Sequence, residues 1–74
     1  MPVTLARLDE LIAESEQQVS EQAYRVMAME LDGEDTTAAR QTLKALESIL
    51  IEYRYTRRLL AEAQRSRHAA GLKK

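Results

Sequence analysis

The sequence predicts an all-α protein, an antiparallel helical hairpin that closes into a homodimeric four-helix bundle. Three observations carry this. Helical periodicity runs through both halves of the chain and is interrupted once, at Leu31-Asp32-Gly33-Glu34-Asp35-Thr36-Thr37. The 74 residues contain one Pro and two Gly, so little else can break a helix. A chain this short is at the limit below which a single core seldom supplies more than about 3 to 5 kcal/mol, and with no Cys and one His it has no disulfide or recognisable metal framework as a staple. Self-association is the remaining source of buried surface.

The first helix is expected over about residues 4–30. Thr4 is placed to cap it, and Leu5, Leu8, Ile12, Val19, Val26 and Met29 recur at steps of three and four, filled by Leu11 and Ala23. This is the spacing of a coiled-coil seam. Ser15 and Gln22 fall at positions the pattern assigns to the interior, where polar side chains fix register or oligomer state more often than they bind ligands; the alternative is the wet edge of the bundle.

Residues 31–35 form the turn. Gly33 can take the left-handed conformation that closes a helix, and Asp35 or Thr36 can accept the free amides that open the next. Glu34 and Asp35 also place negative charge at the positive end of the second helix. An ion site built on this acidic loop would need the ordered oxygen ligands of a calcium loop, which are missing.

The second helix is expected over about residues 36–69, followed by a short basic tail at 70–74. Leu46, Ile49, Tyr53, Thr56, Leu60 and Ala63 form its main stripe, Leu43 and Leu50 widen it on one side, Leu59 flanks it, and Ile51 and Tyr55 lie further round. One neighbouring helix cannot cover so broad an arc. The dimer, with helix 2 near its centre, is the natural closure. Otherwise Ile51, Tyr55 and Leu59 remain as a docking patch for another protein; Tyr24, off the stripe of helix 1, is with Tyr55 a further candidate for contact with a partner.

The net charge of −1 conceals a division: residues 1–35 carry nine acids against Arg7 and Arg25, a charge of −7, and residues 36–74 carry nine bases against Glu47, Glu52 and Glu62, a charge of +6. Folding back about the turn brings Asp9 near Arg58, Glu10 near Arg57 and Glu14 near Arg54. Such pairs select orientation more than they stabilise.

The joint Gly33-Glu34-Asp35-Thr36-Thr37-Ala38-Ala39-Arg40, followed by Leu43 and Leu46-Glu47, resembles the joint of a set of short, uncharacterised bacterial helical proteins in which a Gly-x-Asp-Thr-Thr-x-Ala-Arg run links two helices. The resemblance covers about fifteen residues. It implies a small two-helix protein and brings no activity, cofactor or catalytic residue with it. On its own terms the run is a good helix start, with Arg40 able to reach back toward the acidic loop.

Functional classes narrow by the same reading. Nucleophilic catalysis needs Ser or Cys beside an imidazole and an acid, and the single imidazole, His68, sits near the end of helix 2 as a cation suited to the dipole. Glu10, Glu14 and Glu21 lie away from the apolar stripe without the Glu-x-x-His pairs of a bundle metal site. No enzyme, metal or cofactor is expected. With no charged-then-apolar leader and no apolar run near 18 residues, a cytoplasmic protein without a membrane span is expected. The competing reading is a hairpin dimer that binds nucleic acid through Arg54, Arg57, Arg58 and Arg65 on helix 2. Against it stand a pI near 5.8, the absence of an aromatic stacking platform, and acids placed to neutralise those arginines.

Overall fold

Two helices account for nearly the whole chain. The computed structural model describes residues 3–72, with α1 at Leu5–Leu31 and α2 at Thr37–Leu72 packed against each other. α2 continues past the expected end at residue 69, so residues 70–72 of the expected tail are helical; Lys73 and Lys74 lie outside the described residues. The hairpin is a rod of 65 × 21 × 15 Å with a radius of gyration of 17.9 Å, against about 11 Å for a compact domain of this length. A rod this slender has little interior.

Local chemistry sets each boundary. Thr4 has an extended backbone, and its Oγ1 accepts the amide of Arg7 at 3.1 Å, satisfying one of the free N–H groups of the first turn. At the other end of α1 the amide of Glu34 donates to the carbonyl of Met29 at 2.9 Å and that of Gly33 to Glu30 at 3.1 Å, the paired bonds of a Schellman motif. Gly33 has a φ of 72°, which a residue with a Cβ adopts at a cost. Asp35 then opens α2: its Oδ1 accepts both the amide of Thr37 at 3.0 Å and the Thr37 hydroxyl at 2.7 Å. These bonds favour the charged form and hold the Asp35 carboxyl below its ordinary value.

The seam of α1 runs through Leu5, Leu8, Ile12, Ser15, Val19, Gln22, Val26 and Met29, all buried or half-buried at alternating steps of three and four. Ser15 and Gln22 are therefore interior residues, and Gln22 Nε2 donates to the Ala39 carbonyl of the facing helix at 2.9 Å. Ala23, expected to fill the stripe, is exposed. Its neighbour Gln22 takes the place.

In α2 the seam is Ala39, Leu43, Leu46, Leu50, Tyr53, Arg57 and Leu60. This corrects the expected main stripe. Ile49, Thr56 and Ala63 are exposed, and Leu50, expected at the margin, is the most buried residue of the helix. The physical reason is that α2 carries two apolar stripes side by side, and a partner as narrow as α1 covers one. Periodicity does not say which. The one chosen includes Arg57, whose guanidinium extends past the apolar layer to Asp9.

Three pairs cross between the helices: Asp9 with Arg57, Glu16 with Arg54 at 3.4 Å, and Glu30 with Arg40. They establish the antiparallel arrangement, since low numbers in α1 meet high numbers in α2. The partners differ from those expected: Glu10 pairs within its own helix with Arg7 at 2.9 Å, and Glu16, not Glu14, meets Arg54. Glu16 lies one residue beyond the seam position Ser15, whereas Glu14 points to the other edge. Arg40 also donates from Nε to the Thr36 hydroxyl at 2.9 Å, tying the turn to both helices.

Candidate functional site

The two long edges of the hairpin differ in kind. At about 100° per residue, Arg54 stands on one shoulder of the α2 seam and Ile49 and Thr56 on the other. All three cross-helix ion pairs given above lie along the first edge. The second edge carries Thr42, Ala45, Ile49, Glu52, Thr56, Leu59, Ala63 and Ser66, every one exposed, again at alternating steps of three and four. It is a second seam with nothing packed on it. Ile49 retains 41% and Leu59 46% of its accessible surface.

The expected contact residues separate under this geometry. Leu59 belongs to the uncovered seam. Ile51 and Tyr55, 64% and 54% exposed, stand on the outer, ion-paired side, where the Arg58 guanidinium lies over the Tyr55 ring at 5.4 Å from its centre, within cation–π range. Tyr24, 69% exposed, stands on α1 beside Ser20, Glu21, Arg25 and Ala28. The four do not form one patch. Thr42, Ala45, Thr56 and Ala63 were not singled out from the sequence as surface contacts, although their heptad spacing was there to be read.

The expected nucleic-acid residues do come together. Arg54, Arg57, Arg58, Arg65 and His68 rim an open groove of about 580 Å³, floored by Leu5 and Ala61, toward the end of the hairpin away from the turn. Two of the arginines are engaged, Arg54 with Glu16 and Arg57 with Asp9. The bond from Arg57 holds the Asp9 carboxyl below its ordinary value and raises that of Arg57 itself. Arg65 and His68 have no ion-pair partner among the described residues.

No group of three or more His, Asp and Glu side chains is placed to hold a metal among the described residues. None of the described helices is long and apolar enough to cross a membrane. Compared with protein-family models, curated proteins and solved structures, the chain finds no match. The resemblance of its joint rests on the residues of the joint alone.

Proposed function

We propose that the protein is a small cytoplasmic interaction module without catalytic activity, which acts as a homodimer formed by two hairpins packing into a four-helix bundle. The observation that carries this reading is the uncovered second seam of α2, Ile49, Thr56, Leu59 and Ala63, beside a core in which, among the described residues, only Leu8, Val26 and Leu50 are buried apolar side chains. Burial yields roughly 25 cal/mol per Å² of apolar surface, so a hairpin with three such side chains is marginal. A second copy on the open edge adds the missing layer. Light scattering at micromolar concentration is expected to return twice the 8.4 kDa chain mass; a monodisperse monomer with intact helicity removes the reading.

A second reading is supported by the basic groove. Five cationic or titratable side chains around an apolar floor fit a polyanion such as RNA or DNA. It is compatible with the dimer, because the groove faces away from the uncovered seam. Binding of mixed RNA and DNA is expected at low salt and should fall steeply as salt rises. No binding at low salt removes it.

A further inference from the structure

We infer that the second copy packs antiparallel, α2 against α2, in the register that sets Ile49 against the partner's Leu59. The inference rests on the dimer proposed above and specifies its geometry. In this register Ala45 meets the partner's Ala63 and Thr42 meets the partner's Ser66, layers of matching size, while Glu52 meets the partner's Thr56, about a two-fold axis at the level of residue 54.

The alternatives are disfavoured by charge and by coverage. Packing α1 on the open seam of α2 would lay Glu10, Glu14 and Glu21 over a stripe that holds no base. A parallel α2 pair would put the two Glu52 carboxylates face to face and bring like ends together, with Asp32, Glu34 and Asp35 at one end and Arg65, Arg67 and His68 at the other. The antiparallel pair removes both relations: each Glu52 faces the partner's Thr56, and the ends of like charge are set apart at opposite ends of the assembly, which favours this orientation.

It also accounts for the length of α2. The seam with α1 ends at Leu60 and Ala61, yet the helix runs to Leu72, and residues 62–71 are exposed throughout. A helical segment without an apolar face of its own gains little from standing alone in water. In the proposed register it lies along the first turns of the partner's α2.

The chain has no cysteine, so introduced thiols report one contact at a time. Ile49→Cys and Leu59→Cys are made as separate proteins and oxidised mildly, alone and mixed, with light scattering on each before oxidation. Covalent dimer in the mixture, and none from either variant alone, is the expected result, since only a 49–59 contact brings the two Cβ atoms within disulfide range. Covalent dimer from each variant alone indicates a parallel pair and overturns the register. A dimeric mass with no cross-link in any sample also overturns it, while leaving the dimer itself standing. A monomeric mass for both variants and for the unaltered chain overturns the dimer and the register together.

Discussion

The hairpin's two edges are built from the same two helices and behave oppositely. One is closed by Asp9–Arg57, Glu16–Arg54 and Glu30–Arg40, whose long side chains span the helix gap and bring charge to the surface. On α2 the other presents Thr42, Ala45, Ile49, Thr56, Leu59, Ala63 and Ser66, small or branched side chains with Glu52 as the one charge in that stripe. Charges along the first edge favour water over a neighbouring helix, because burying them would require new partners. The second edge lacks that protection. The contrast teaches that charge in this chain is arranged to leave one side available.

The largest effect tests the seam against the open edge. Leu50→Asp is expected to abolish folding, seen as loss of helical circular dichroism, because an unpaired charge buried in a marginal core costs several kcal/mol. Leu46→Asp should act in the same direction. Ile49→Asp, the neighbour of Leu50 in sequence, is expected to lose the dimeric mass and to retain more helicity than Leu50→Asp, because its charge stays in water. If Ile49→Asp unfolds the isolated hairpin as completely as Leu50→Asp, the distinction between the two stripes is wrong.

A smaller effect is expected at the turn, which both edges share. Gly33→Ala meets no neighbouring atom within 4 Å, so its cost is the left-handed backbone alone, about 1 to 2 kcal/mol, read as a lower midpoint in urea. Gly33→Asn should cost less. An unchanged midpoint for Gly33→Ala would mean that the turn tolerates another conformation.

Acid should weaken the turn and the paired edge. Asp9 and Asp35 both have lowered carboxyl values in the fold, so their contributions are present above the ordinary aspartate value of about 3.9 and are lost as pH falls through the lowered values. A thermal midpoint that drops as pH falls below about 4, with a smaller drop in Asp9→Asn, is the expected outcome. The smallest effect belongs to Arg54→Ala, which removes an exposed pair at 3.4 Å and should leave the thermal midpoint nearly unchanged. A large loss there would mean that Arg54 is engaged in the assembled state.

Much of this fold is legible in the sequence alone. Thr4, Gly33 and Asp35 announced their roles through chemistry that acts within a few residues, and the α1 seam was legible because that helix carries a single apolar stripe. Pairing partners were less legible. The expected contacts of Arg54 and Arg57 differ from those found by two residues and one, since a long flexible side chain reaches several positions and the register depends on how the turn sets the helix ends.

The sequence by itself determined two helices, one short joint that turns the second back along the first, and the caps at each boundary, because these follow from local hydrogen bonding and helical periodicity. Only the tertiary structure decided which stripe of α2 faces α1. Leu46, Tyr53 and Leu60 can be joined at helical spacing either through Leu50 and Arg57 or through Ile49 and Thr56, and the choice between the two is made by packing across the gap, where Gln22 donates to the Ala39 carbonyl, a contact between residues distant in the chain that no local pattern encodes.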